Sequence, residues 1–165
     1  MDGIDAVLVD FSSAQIKLIT SHIKSWPDSI CKETTAAYQL PDNKLNTLDS
    51  LDVSMAEVFA EASNELLDKA GINASDVIAI GSHGQTIRHK PDGPNPFSLQ
   101  IGNPRTLSKL TGIDVVSDFR TADIQAGGEG APLTPAFHDA VFRHKEENRI
   151  ILNIGGIANI TVLAA

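Results

Sequence analysis

The segment from Val115 to Ala140 carries the residues best suited to chemistry. It places Asp118, Arg120 and Asp123 directly after a short apolar run, and three glycines surround Glu129 before a helical pattern resumes. Carboxylates beside an arginine favour oriented polar chemistry, and glycines permit backbone conformations and close approaches that side chains forbid. The segment therefore indicates a functional site rather than a packing element.

A second polar cluster, with His83, Gln85 and Arg88, follows the continuously apolar run Val77–Ser82. Such a run is typical of a strand buried on both faces, and open α/β sheets bind ligands beyond the carboxyl ends of their strands. A surface loop with merely solvated side chains explains the cluster equally well. The two interpretations remain open on these residues alone.

Two glycine-containing stretches, Ala126–Leu133 and Asn153–Thr161, match neither the P-loop nor the dinucleotide fingerprint. The first forms either an anion-binding nest or a tight turn, and the turn is favoured. The second forms either a hairpin or a loop laid against phosphates. A zinc site is not expected, because the closest histidine pairs are six residues apart rather than four.

The elements that must position these residues alternate between strands and helices, which predicts an α/β sheet with helices packed on it. The chain opens with a hairpin, and Ser54 with Glu57 suggests a capping box in the longest helix, which ends at Gly71. Asn103 is expected to cap a helix that begins at Pro104 and ends at Gly112. The predicted strands are Ile4–Phe11, Ala14–Thr20, Val77–Ser82, Phe97–Gly102, Ile113–Phe119 and those within Arg149–Leu163, and the other helices are Leu48–Ala70 and Pro135–Arg143.

Composition limits the class of protein. The 165 residues have a formal net charge of −8 with no basic stripe, so nucleic acid is not an expected partner. Cys31 is the only cysteine, which excludes an intrachain disulfide and fits a reducing compartment. The uncharged run from Ile150 is too short to cross a bilayer, and the N-terminus does not resemble a signal peptide. We expect a cytoplasmic protein that does not contact membranes.

Five stretches, taken in order, closely resemble the anhydro-N-acetylmuramic acid kinases, bacterial sugar kinases of the actin, hexokinase and heat-shock ATPase superfamily. Where the family has a phosphate-binding turn G-T-S-x-D-G-x-D, the chain retains only Asp2, Gly3, Ile4 and Asp5 behind Met1, and Glu129 stands where the family usually has glutamine. The stretches are "DGIDAVLVDF", "GSHGQTIRHKP", "FSLQIGNP", "TGIDVVSDFRTADIQAGGEGAPLTPAFHDAVF" and "RIILNIGGIANITVL".

The resemblance implies a ribonuclease H-like domain with a mixed sheet and packed helices over residues 1–148, and the first strands of a second such domain over 149–165. The family continues beyond Ala165, so we expect an N-terminal fragment that is inactive alone. The implied activity is ATP-dependent opening of the 1,6-anhydro ring of anhydro-N-acetylmuramic acid with phosphorylation at O6, in cell-wall sugar recycling. A homodimer of the complete protein is a further possibility.

The resemblance also implies roles for residues. Water must attack the anomeric carbon while O6 leaves toward the γ-phosphate, which requires a carboxylate base, and Asp118 is the candidate. His83, Gln85, Arg88, Arg120 and Asp123 are expected to bind the sugar or hold Asp118. ATP is expected at two turns, with Mg²⁺ at Asp5, and the residues of these turns are Asp2, Gly3, Ile4, Asp5, Gly155 and Gly156.

Two other functions compete with the kinase. A non-catalytic module derived from half of a sugar kinase would bind a sugar or a protein partner without turnover. A plain inverting glycosidase would hydrolyse its substrate without ATP.

Overall fold

A computed structural model describes residues 3–13, 16–155 and 157–165, and it has a mixed α/β architecture. Short 3-10 turns cover Asp42–Thr47 and Ala74–Asp76. The strands are β1 (Ile4–Asp10), β2 (Lys17–Lys24), β3 (Ile80–Gly81), β4 (Gln85–Lys90), β5 (Phe97–Ile101), β6 (Val115–Val116), β7 (Arg149–Ile154) and β8 (Ala158–Leu163). The α-helices are α1 (Asp28–Tyr38), α2 (Asp49–Ala70), α3 (Pro104–Thr111), α4 (Thr121–Gln125) and α5 (Thr134–Phe142).

The described strands form four two-stranded sheets rather than the single mixed sheet expected from the sequence. The pairs β1–β2, β4–β5 and β7–β8 are antiparallel, whereas β3 and β6 run parallel. The parallel ladder joins only Ile80 with Val115 and Gly81 with Val116. So short a ladder leaves most of the two predicted strands outside the sheet.

The first hairpin confirms the sequence prediction, and β7 with β8 forms the hairpin that was one of two interpretations of the last glycine-containing stretch. The predicted strand Ala14–Thr20 corresponds to β2, which continues to Lys24 and pairs with β1 from Ile4–Lys24 to Asp10–Lys17. Ala14 and Gln15 lie outside the described residues. At the other end, Asn153 pairs with Asn159 and Ile154 with Ala158 around the predicted glycine turn. Gly156 lies outside the described residues.

Helix α2 is the central element and contacts α1, α3, β1, β2 and β5. Its buried Leu51, Met55 and Val58 join the core formed with Ile87 and Ile101 of the β4–β5 hairpin. The helix ends at Gly71, which has φ 65°, as predicted. The predicted capping box at Ser54 and Glu57 is wrong, because both residues lie inside a helix that already begins at Asp49.

Helix α3 confirms its three sequence signals. The Asn103 side chain accepts a hydrogen bond from the Thr106 N–H at 3.0 Å, Pro104 occupies the first helical position, and Gly112 has φ 71°. Leu107 is 1% exposed, but Leu110 is 49% exposed and does not share its buried face. The predicted α5 is also present.

The structure differs from the sequence prediction around β3 and β4 and contains one helix that the sequence analysis did not predict. Val77–Ser82 is not buried on both faces, since Ile78 is 95% exposed. The segment after it is not only loop, because Gln85–Lys90 forms β4. Helix α1 was not predicted. Its buried face is the i, i+4, i+7 series Ile30, Thr34 and Ala37, and the polar Thr34 within this series weakens the apolar periodicity that would indicate a helix.

Within the described part of the chain, no helix has the length and apolar character needed to cross a membrane.

Candidate functional site

A pocket of about 300 Å³ opens at the carboxyl ends of the parallel strands β3 and β6. Ser82, His83 and Gly84 line it after β3, and Ser117 and Asp118 line it after β6. This is where α/β folds place ligand crevices, as expected from the sequence. The other lining residues come from α2, from β5 with the start of α3, and from α4: Asp52, Ser98, Leu99, Gln100, Ile101, Gly102, Pro104 and Thr121.

Asp118 lies at this opening with an exposed side chain and φ 56°, the only positive φ of a non-glycine residue in the described ranges. Its Oδ1 accepts a hydrogen bond from the Thr121 N–H at 3.3 Å. The predicted strand extended to Phe119, but the β3–β6 ladder ends at Val116, so Asp118 lies beyond the paired residues. The residue instead occupies a left-handed conformation, which is uncommon for L-residues and is often found at functional sites.

His83 and Arg120, far apart in sequence, meet beside the pocket. Arg120 Nε and Nη2 lie 3.0 and 2.8 Å from His83 Nε2. The other ring nitrogen, His83 Nδ1, lies 2.9 Å from the Gly84 carbonyl oxygen. Gly84 has φ 71°, and a Cβ there would lie 2.5 Å from the Ile101 carbonyl oxygen, so this turn requires glycine.

Asp123 forms hydrogen bonds within the glycine loop, residues 126–130, and does not line the pocket. Its Oδ2 accepts a hydrogen bond from the Gly130 N–H at 2.7 Å, and its carbonyl oxygen accepts one from the Gly128 N–H at 2.8 Å. A Cβ at Gly128 would lie 2.3 Å from Asp123 Oδ2. The loop therefore closes tightly around this carboxylate, which agrees with the turn favoured from the sequence.

Gln85 and Arg88 are directed away from the pocket. Gln85 Nε2 donates to the Tyr38 hydroxyl at 2.9 Å. Arg88 donates to the Leu40 carbonyl oxygen, and its Nε lies 3.3 Å from Asp42 Oδ1. The structure thus places His83 and Asp118 at one opening, with Arg120 bonded to His83. Gln85 and Arg88, two predicted sugar ligands, lie against α1 and the turn that follows it.

Three of the residues predicted for phosphate binding, Gly3, Ile4 and Asp5 of the first hairpin, line a larger groove of about 1160 Å³, whereas Gly155 does not line it. Ser82, His83 and Gly84 line this groove as well as the pocket, so the two cavities adjoin at one segment. Gly155 is exposed in the β7–β8 turn. Asp2, like Gly156, lies outside the described residues.

Asp10, at the end of β1, also lines the groove. Hydrogen bonds from the side chain and the backbone N–H of Ser12 lower the pKa of the Asp10 carboxyl, and the backbone bond is 2.7 Å long.

Among residues 3–13, 16–155 and 157–165, no group of three or more His, Cys, Asp or Glu is arranged to hold a metal ion. The expectation of a magnesium ion at Asp5 stays a prediction.

Sequence reasoning missed Asp52, Ser98 and Gln100 as pocket residues. Asp52 Oδ1 accepts from the Gly102 N–H at 2.7 Å and its Oδ2 from Asn103 Nδ2 at 2.8 Å. Gln100 Nε2 donates to Ser98 Oγ at 2.7 Å. In the sequence, Asp52 looks like an ordinary acidic residue of a first helical turn, so nothing local indicates that it lines the pocket and accepts these hydrogen bonds. The alternation of Ser98 and Gln100 in β5 was a usable signal, since it places both polar side chains on one face.

Fold and site together define a mixed α/β domain with a polar pocket at the carboxyl ends of parallel strands. The family model described as anhydro-N-acetylmuramic acid kinase matches residues 1–165. The chain belongs to this family.

Curated relatives agree with the family match. A protein named anhydro-N-acetylmuramic acid kinase from Shewanella baltica is 55% identical over 163 residues, which cover 99% of this chain and 44% of the relative. Proteins of the same name from Shewanella denitrificans and Shewanella halifaxensis are 52% and 51% identical over the same shares. The chain therefore spans about 44% of the length of the curated relatives it matches.

Proposed function

We propose that the complete protein containing this chain is an ATP-dependent kinase that converts 1,6-anhydro-N-acetylmuramic acid to N-acetylmuramic acid 6-phosphate while opening the anhydro ring by hydrolysis. The family membership carries the proposal. The adjoining cavities support it, because a bound sugar and a nucleotide must meet for phosphoryl transfer.

In this mechanism Asp118 accepts a proton from the water that attacks the anomeric carbon, and the bond from that carbon to O6 breaks. O6 takes the γ-phosphoryl group of ATP, and ADP leaves. The exposed carboxylate at the pocket opening supports this role, because a general base must reach the attacking water. His83 contributes to the wall of the sugar pocket. Direct sugar contacts from Gln85 and Arg88 remain predictions that require a rearrangement of their present hydrogen bonds.

ATP would bind along the groove beside Gly3, Ile4 and Asp5, and Asp5 would hold a magnesium ion that neutralises phosphate charge. Gly155 would contribute backbone contacts to the phosphates, as would Asp2 and Gly156. Phosphoryl transfer depends mainly on positioning and charge stabilisation. The groove supports this arrangement, since it offers backbone and carboxylate groups near the segment shared with the pocket.

The ribonuclease H-like topology, the boundary between residues 148 and 149, the cytoplasmic location and the homodimer belong to the same proposal. Exposed apolar side chains on both strands of the β7–β8 hairpin, such as Ile154 and Val162, support a start of a second domain there. The 165-residue chain alone is expected to lack kinase activity.

The proposal is tested with Asp118→Asn in the complete protein. The substitution retains the shape of the side chain but removes the proton acceptor, so we expect kcat to fall by roughly two to four orders of magnitude while calorimetric sugar binding survives. Asp114→Asn, an exposed carboxylate of the same segment, is the control. A nearly active Asp118→Asn enzyme would contradict the assignment of the base.

The wild-type assay separates the competing functions. Sugar binding without turnover by the complete protein would favour the non-catalytic module. Ring opening in the absence of ATP would favour a glycosidase.

A further inference from the structure

Arg120 lies between the pocket and the glycine loop, residues 126–130, and contacts both. Its Nε and Nη2 approach His83 Nε2 at 3.0 and 2.8 Å, while Nη1 donates to the Gly130 carbonyl oxygen at 2.5 Å. The rigid fork of a guanidinium can serve two acceptors in fixed directions at once. One side chain therefore connects the segment after β3 to the loop after α4.

These contacts determine the tautomer of His83. A guanidinium has donors but no acceptor, so His83 Nε2 must accept and cannot carry a proton. The proton of the neutral ring then lies on Nδ1, which donates to the Gly84 carbonyl oxygen at 2.9 Å. Both ring nitrogens are consequently engaged within the protein, and the ring plane is fixed from both sides.

The second contact holds a buried residue of the glycine loop. Gly130 is buried, and buried backbone polar groups require partners. Arg120 Nη1 donates to its carbonyl oxygen, and Asp123 Oδ2 accepts from its N–H at 2.7 Å. Two side chains of the same short segment thus satisfy both backbone groups of Gly130.

We propose that Arg120 is a positioning residue that fixes His83 in the Nδ1-protonated tautomer and ties the glycine loop to the pocket. The identification of the pocket as a sugar site and the role of an attacking water rest on the proposed function, whereas the tautomer of His83 and the contacts of Arg120 do not. Because Arg120 occupies the lone pair of Nε2, His83 does not accept the proton of the attacking water. That task falls to Asp118, which lies on the other strand end at the same opening.

The direct test is a nitrogen-15 spectrum of the histidine side chains in the complete protein without sugar or ATP, at about pH 8, where neutral imidazole prevails for histidines of ordinary pKa. We expect His83 to show a protonated Nδ1 and an unprotonated Nε2. A proton on Nε2 of wild-type His83 would overturn the proposal. This measurement needs neither a variant nor activity, so its outcome is separate from that of the kinase assay.

A second test replaces Arg120 with Met, which retains an apolar stem but has no donor. We expect the His83 tautomer to become mixed, the signals of His89 to stay unchanged, and kcat/KM to fall by about 10- to 100-fold through misplacement of pocket groups. The control is Arg105→Met at an exposed position of α3. An unchanged His83 tautomer in a folded Arg120→Met protein would overturn the proposal, and if the variant fails to fold the wild-type spectrum decides.

Discussion

Glu129 is the residue at which the chain departs from the glutamine usual in the family it resembles. The structure exposes Glu129 at the outer side of the glycine loop, next to buried Gly130. Water solvates the charge of an exposed side chain, so we expect the Glu129 carboxylate to have little effect on the pocket. The glutamate at position 129 therefore does not argue against the glycine loop as part of the predicted site.

The corresponding prediction is that Glu129→Gln in the complete protein changes kcat/KM by no more than about twofold and leaves the unfolding temperature within about 1 °C, as expected for a surface substitution. Steady-state kinetics and thermal unfolding measure both effects. A large loss of turnover with unchanged folding would show that the acid takes part in the reaction directly.

At the scale of elements, the glycine loop depends on one close approach between α4 and Gly130. Gly130 has φ 68°, and a Cβ there would lie 2.9 and 3.0 Å from two carbons of the buried Ile124 side chain. Gly127 in the same loop has φ 92° but no atom within 4 Å of a built Cβ. A side chain at either glycine would therefore strain the backbone, but only a side chain at Gly130 would also be crowded by neighbouring atoms.

We expect Gly130→Ala to lower the free energy of unfolding by about 2–4 kcal/mol, because left-handed strain and overpacking add. Gly127→Ala carries only the strain and should cost about 1–2 kcal/mol. Urea unfolding of both variants measures the difference. Equal losses would contradict the proposed packing of the loop on α4.

At the scale of the whole molecule, an ionic cluster joins the first hairpin to the central helix. Glu65 of α2 lies 2.7 Å from Lys24 Nζ and 2.8 Å from His22 Nε2, both on β2. Hydrogen bonds from Lys24 and then His22 lower the pKa of the Glu65 carboxyl, while hydrogen bonds to Glu65 and Glu61 raise the pKa of Lys24. The attraction between Glu65 and Lys24 therefore contributes to stability only while the Glu65 carboxyl is ionised.

The sign of the pH dependence follows from the lowered pKa of Glu65. Its contribution is present above the ordinary value of 4.5 and is lost as the pH falls through the lower folded value. We expect Glu65→Gln to flatten the acid limb of stability below about pH 4.5, with a small effect near neutrality because the pair is solvent-exposed. Urea midpoints across the acid range measure this, with the exposed Glu57→Gln of the same helix as control. An acid limb as steep as that of the wild type would contradict the role of the cluster.

The sequence alone determined the family and the elements whose signals are local. Gly71, Asn103, Pro104 and Gly112 mark helix ends through backbone preferences and hydrogen bonds within a few residues, so their positions needed no tertiary information. The sequence also singled out Asp118 as a carboxylate near a short apolar run, and the structure places it at the pocket opening, while its role as general base stays a prediction. Helix α1 and strand β4 were missed because weak periodicity in one and polar residues in the other concealed their buried faces.

Only the tertiary structure decided which distant residues share the pocket. Asp52 meets Gly102 from 50 residues away, and Arg120 meets His83 from 37 residues away. It also directed Gln85 to Tyr38 instead of toward the pocket. Helical and strand periodicity specifies which side of an element a residue occupies, but the partner on that side depends on how separate elements pack, and local sequence does not encode that packing.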